Sequence, residues 1–182
     1  MGLDMYLSKK TYVKNWDFME PEQRHMVSVL KNGEQVPYIK PHRVSYIVES
    51  VMQWRKANQI HNWFVENVQK GEDNCEEYYV SVDDLKKLLE VCKTVLEIIE
   101  KSEKVKQTVE VGFSNGEPLM EEIEVYSNPK IEELLPTTKG FFFGSTEYDE
   151  YYVSDIKSTI KGLEEILSED VSNGDFYYQS SW

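Results

Sequence analysis

The stretch VKQTVEVGFSNGEPLMEEIEVY, Val105 to Tyr126, decides the fold class. Two runs, Val105 to Phe113 and Leu119 to Tyr126, alternate apolar and polar residues with the period of two that gives a strand one dry and one wet face. Between them stands Ser114-Asn115-Gly116-Glu117. Asn-Gly adopts the positive φ angles of a tight hairpin turn at little steric cost, so the two runs are expected to pair antiparallel.

On the N-terminal side of this hairpin, Ser81-Val82-Asp83-Asp84 has the form of a capping-box helix start. Leu85, Leu88, Leu89, Cys92, Val95, Leu96 and Ile99 follow it at helical spacing. A polar loop, Gly71 to Glu77, leads into this region through Tyr78-Tyr79-Val80. Upstream, Trp54, Ala57, Ile60, His61, Phe64, Val65 and Val68 fall on one helical stripe, which predicts a helix from Trp54 to about Gln69, ended by Lys70-Gly71. The β-branched alternation of residues 44–51 favours a strand between His42 and Met52, with a helical start to the next element as the alternative. Glu20-Pro21 is expected to open a short helix that Asn32-Gly33 stops, and Val36 to Ile39 a short strand. The chain opens in a strand, with Leu3, Met5 and Leu7 on one face.

On the C-terminal side, Pro129 begins a helical turn through Leu134 and Pro136 stops it. Ile156, Ile160, Leu163 and Leu167 mark a last helix, Asn173-Gly174 turns the chain, and Phe176 to Ser181 reads as a terminal strand. Helices and strands alternate without a regular βαβ rhythm. The expectation is an α+β fold: a mainly antiparallel sheet with three to four helices packed against it. At 182 residues the chain is expected to form a single domain, residues 1–182, and it carries no internal repeat or low-complexity tract.

Charge divides the chain. Residues 1–70 hold 10 Lys and Arg against 7 Asp and Glu, a net of +3, whereas residues 71–182 hold 10 against 26, a net of −16. The overall −13 argues against long nucleic acid or an anionic membrane as partner, because both require a basic surface. It leaves room for one small anion in the first segment, which holds every arginine and histidine. No apolar run is long enough to cross a bilayer and no secretory leader is evident, so a cytoplasmic protein is expected. Cys75 and Cys92 are expected to be free thiols.

The densest chemical cluster is WRKANQIHNWF, Trp54 to Phe64. Arginine offers a planar fork for phosphate, His and Asn can read heterocycle edges, and Trp supplies a stacking face. On a continuous helix Trp54, Arg55, Asn58, His61 and Asn62 share one side, with Lys56 on the other flank. The competing reading places Trp54 and His61 in the core and leaves Arg55 solvated. Gly140-Phe141-Phe142-Phe143-Gly144 lacks the order and the lysine of a phosphate loop. It reads either as a buried central strand or as an aromatic platform that uses Phe142, with Tyr148, Tyr151 and Tyr152 at its rim. No metal-ligand spacing, cofactor motif or nucleophile elbow is present, so no metal, cofactor or catalytic residue is assigned.

MGLDMYL at the start, WRKANQIHNWFVENVQ with the following Cys75, LPTTKGFFFGSTEYDEYY and the final QSSW together resemble a family of small phage, prophage and bacterial proteins. The resemblance implies a soluble phage-associated protein acting in the host cytoplasm, a class that often counters host defence. Three functions follow as expectations: a non-enzymatic protein that sequesters a small anionic, nucleotide-like ligand; an acidic inhibitor that binds a host protein; and a small nucleotide-modifying or hydrolytic enzyme with His61 as base beside Tyr148 or Asp149. The first leads, with the ligand between Trp54–Phe64 and Phe141–Tyr152. A homo-oligomer is left open.

Overall fold

Alternation at the N-terminus produces the central strand. In a computed structural model that describes residues 2–114 and 116–182, β1 (Asp4–Tyr12) buries Met5 and Leu7, with Leu3 just before it, and turns Tyr6 outward. β1 pairs with β4 (Tyr46–Arg55) on one side and β8 (Asp175–Ser181) on the other, and β8 pairs with β5 (Tyr78–Val80). The resulting sheet has the order β4-β1-β8-β5 and is antiparallel throughout. Facing partners in such a sheet point to the same side, so the pair Met5 with Trp54 and the pair Leu7 with Tyr178 line the inner face. Tyr6 and Tyr79 are exposed on the outer one.

Four helices cover the inner face. α1 (Asn58–Asn67) contributes Ile60 and Phe64, and Phe64 stacks on Tyr178 with ring centroids 3.9 Å apart. α2 (Val82–Glu100) inserts Leu85, Leu88, Cys92, Val95 and Ile99, and α4 (Glu150–Ser168) adds Val153, Ile156 and Leu163. The short α3 (Pro129–Leu134) closes one end with Ile131. The expected α+β architecture is thus present. Ser81 and Asp84 form the full capping box: burial pushes the Asp84 carboxyl up, but hydrogen bonds from Ser81 and Lys87 outweigh it and hold the group below its usual value.

β6 (Lys104–Ser114) and β7 (Glu117–Tyr126) form the antiparallel hairpin as a separate two-stranded ribbon, and Asn115 of its turn lies outside the described residues. Apart from Val125 at its base, the described side chains of β7 are exposed or half-buried. The ribbon therefore projects from the core instead of joining the main sheet.

Four local expectations are corrected. Trp54 and Arg55 end β4 and do not begin the helix, which starts at Asn58. Residues 20–33 form only a single 3₁₀ turn at Pro21–Gln23, and Asn32-Gly33 is the turn of a minute hairpin between β2 (Leu30–Lys31) and β3 (Glu34–Gln35). Val36 is buried, but residues 36–39 are not a strand. Residues 140–144 are a loop. A Cβ on Gly140 would lie 2.4 Å from the Phe143 ring, while Gly144 has φ +94° and packs against the backbone of Lys56. Both glycines serve a tight reversal, and a flat central strand would need neither.

Candidate functional site

The change from strand to helix occurs within two residues. Lys56 holds a left-handed conformation (φ 60°) and donates its amide N–H to the Leu3 carbonyl at 2.7 Å. Ala57 is buried beneath the turn, and α1 opens at Asn58 with no side-chain cap. Because Arg55 pairs with Asp4 in the sheet register, it lies on the face opposite Trp54. The turn then brings Lys56 beside it.

Opposite this turn runs the loop 144–149 followed by the first turns of α4. A cleft of about 380 Å³ separates the two walls. Arg55, Lys56 and Gln59 line one side; Tyr151, Tyr152 and Asp155 line the other. Asp149 caps α4 by accepting from the amides of Tyr151 and Tyr152, which places its negative charge at the positive end of the helix. Six residues on, Asp155 is half-buried and accepts from Gln59 Nε2 at 3.1 Å. Burial pushes the Asp155 carboxyl up to about 6; the Gln59 hydrogen bond opposes that and the Asp149 charge reinforces it. The cleft thus has a cationic lip and an acidic floor. Tyr151, 79% exposed, stands at its mouth.

Beside the cleft, the ribbon and the same 144–151 wall enclose a second groove of about 770 Å³. Gln107, Val109, Glu121 and Ile123 face it from the ribbon, and Gly144, Ser145, Glu147, Asp149 and Tyr151 are common to both cavities.

Other residues singled out in the sequence serve to hold this wall in place. Asn58 is buried; its Nδ2 donates to the carbonyls of Phe143 (3.2 Å) and Ser145 (2.7 Å), and its Oδ1 accepts from the Thr138 amide at 3.0 Å. His61 is fully buried between Tyr178 Oη, 2.7 Å from Nδ1, and Asp73 Oδ2, 3.1 Å from Nε2. A carboxylate only accepts, so Nε2 donates to Asp73. Asp73 also accepts from Trp182 Nε1 at 3.0 Å, while Phe143 meets the His61 ring edge-on and Trp182 packs on Phe143. This chain joins α1, the 71–77 loop, the 140–144 loop and residue 182 into one polar knot that is buried at His61 and Tyr178 and reaches the surface at Asp73 and Trp182. The Tyr178 hydroxyl at its centre is driven well above its usual range by burial, next by the Asp73 charge.

Of the residues selected from the sequence, Arg55 and Tyr151 line the cleft. Trp54 is a core residue whose Nε1 donates to Thr159 Oγ1 at 2.8 Å. Asn58 and His61 have their polar atoms committed as described. Asn62 and Phe142 line neither cavity; Phe142, 55% exposed, packs on Phe141. Tyr148 packs on Tyr152 below the cleft wall. Lys56, assigned to the far flank of a continuous helix, faces the same cleft as Arg55 because the turn precedes the helix. Gln59 and Asp155 were missed. Both read as ordinary polar positions in helical stripes, and no local pattern marks a glutamine and an aspartate 96 residues apart as a pair.

Among the described residues no group of three His, Cys, Asp or Glu side chains is arranged to hold a metal ion. Among the described residues no helix is long and apolar enough to cross a membrane. No family model, no curated protein and no solved structure matches the chain.

Proposed function

We propose that this chain is a non-enzymatic binding protein that holds a small anionic, nucleotide-like ligand in the cleft between the β4–α1 turn and the start of α4. One observation carries the reading: in a chain of net charge −13, Arg55 and Lys56 stand together at the lip of a cleft whose opposite wall offers the Tyr151 ring. Guanidinium and ammonium groups supply charge-assisted hydrogen bonds to a phosphate, and the tyrosine ring supplies a stacking surface. A holding role, as opposed to a converting one, is supported by His61, whose two ring nitrogens are both engaged in the polar knot. Combined with the resemblance to phage proteins, the reading implies capture of a host nucleotide signal.

The test is calorimetry against linear, cyclic and ADP-ribose-type nucleotides, with mass spectrometry of the recovered ligand. At least one is expected to bind and to be recovered unchanged after long incubation. Arg55→Ala should weaken it about ten- to a hundredfold, the worth of one charge-assisted contact. The substitution should leave the fold intact, since Arg55 is exposed and its ion pair with Asp4 spans 3.6 Å. Absence of binding across the panel by folded protein defeats the reading, and recovery of a cleaved or modified nucleotide defeats its non-enzymatic half.

A further inference from the structure

The register of the main sheet fixes what its uncovered face is made of. β1 turns Tyr6, Ser8, Lys10 and Tyr12 away from the helices, and residues that face them across the strands lie on the same side. On β4, Tyr46 faces Tyr12 and Val48 faces Lys10; on β8, Tyr177 faces Ser8; and Tyr79 of β5 faces Tyr177. Five of the chain's 12 tyrosines therefore share this face. None of these positions is buried, and Val48 and Tyr79 are 59% and 57% exposed, so no described element covers them. Past the end of the sheet the aromatic row continues. Trp16 packs on Tyr12 with ring centroids 5.3 Å apart, and Phe18 stacks on Trp16 at 5.5 Å.

Charge sets the same face apart from the rest of the surface. In a chain with 33 acidic residues, its strands turn outward the carboxylates of Asp4 and Asp175, with Glu77 at the border. Asp4 is paired with Arg55 at 3.6 Å, and Glu77 with Lys10. Gain of tyrosine and tryptophan together with loss of unpaired charge is the composition of a protein interface.

We propose that this open face is where two copies of the chain meet, sheet against sheet about a twofold axis, to form a dimer. Charge favours a second copy. Two molecules of net charge −13 repel one another across their acidic helices and ribbons, and the sheet face is where their approach is least opposed. Its cations, Lys10 and Arg55, are already paired, which leaves little for a nucleic acid. Tyrosine and serine hydroxyls both donate and accept hydrogen bonds, so the face complements itself without an acidic or a basic partner. Area agrees. At about 4.8 Å between strands and about 3.4 Å per residue the face covers roughly 500 Å² in plan. Side-chain relief raises that toward the ~800 Å² per partner of a standard interface. Formation of the dimer does not depend on what the cleft binds.

The experiment is sedimentation of the full chain at graded concentration, in about 0.01 M and about 0.15 M sodium chloride. The mass is expected to pass from monomer to dimer below about 100 μM, and the dimer to be tighter at the higher salt, where repulsion between the copies is screened. Val48→Glu and Tyr79→Glu each set two carboxylates into a twofold interface and should raise the dimer Kd about tenfold or more. Met120→Glu, at a ribbon position 52% exposed, should leave it unchanged. Circular dichroism checks that each variant is folded, and the concentration and salt series on the parent decide the matter even if a variant is not. Monomer mass throughout that range overturns the proposal, as does an assembly larger than a dimer. So does a dimer that salt weakens, which would mark an acid–base contact elsewhere, or one that folded Val48→Glu and Tyr79→Glu leave as tight as before.

Discussion

Asp155 is the residue on which the cleft's electrostatics turn, and its titration has a sign that can be worked out. Unfolded, its carboxyl has the ordinary value of 3.8; in the fold, burial first and the Asp149 charge second carry it to about 6, against the Gln59 hydrogen bond. The fold binds this proton more tightly than the unfolded chain does. Its contribution to stability is present in full below pH 3.8 and is lost as the pH rises through about 6. Asp155→Asn resembles the protonated form at every pH. The variant should match the parent at about pH 3.5 and exceed it at about pH 7.5 by roughly 1–2 kcal/mol, a discounted value for a half-buried group, or about 3–6 °C in Tm. Thermal melts across that range decide it, and an offset that does not change with pH would refute the assignment. None of this is legible in the sequence. Arg55 declares itself as one of the few arginines, all of them in the first 70 residues, whereas Lys56 is set on the far flank until the turn before α1 brings it round. Asp155 is one carboxylate among 33 acidic residues until the fold buries it beside Gln59.

At the scale of elements, the sequence is most informative where side chains alternate over a continuous face. α2, β8 and the β6–β7 ribbon lie close to their expected limits because their patterns extend over several turns or pleats, whereas α4 begins at Glu150, more than a turn before the first residue of its expected stripe, and β1 runs on to Tyr12. The failures are at joints. Trp54 and Arg55 extend the helical stripe of α1 by coincidence, and only the left-handed Lys56 reveals that the helix has not yet begun. Asn32-Gly33 carries the same hairpin signal as Asn115-Gly116, but the neighbouring Met26, Val29 and Leu30 imitate a helix, so the dipeptide passes for a stop. Phe141-Phe142-Phe143 has strand propensity without strand geometry, since Asn58 takes two carbonyls of this loop that a ladder would have used. The ribbon offers an element-scale prediction. Residues 108–122 span its outer part, where every described side chain is exposed or half-buried, and Gln107 faces Ile123 across the strands. Replacing residues 108–122 by Asn-Gly joins that pair with a two-residue turn. It should shift Tm by no more than about 3 °C, the effect of ~1 kcal/mol in a chain of this size. Calorimetry measures this directly, and a loss of 8 °C or more would show that the ribbon supports the core.

Over the whole molecule, the 33 acidic and 20 basic residues set a balance between repulsion and local pairing. The ion pairs are mostly single and exposed, such as Lys93 with Glu164 at 2.5 Å and Lys106 with Glu122 at 2.7 Å. Exposed pairs contribute about 0–1 kcal/mol each and lose only part of that on screening. The repulsion among the unpaired carboxylates is long-ranged and shared by α2, α4 and the ribbon, so it responds more strongly to salt. The Debye length falls from about 30 Å at 0.01 M to about 8 Å at 0.15 M, shorter than the distance across a domain of this size. Sodium chloride added over that range should therefore stabilise the fold, by roughly 1–2 kcal/mol or about 3–6 °C in Tm, with most of the gain complete before exclusion of salt from the surface contributes. The cleft should follow the same rule for a different reason. An anion approaching a molecule of net charge −13 is repelled at distance and attracted only once Arg55 and Lys56 are within reach, so screening the distant field speeds its arrival. Melting curves at graded sodium chloride test the first effect without any ligand. A Tm that falls with salt would mean that the exposed pairs outweigh the net charge, and that the acidic surface is organised as a paired network instead of a diffuse repulsive field.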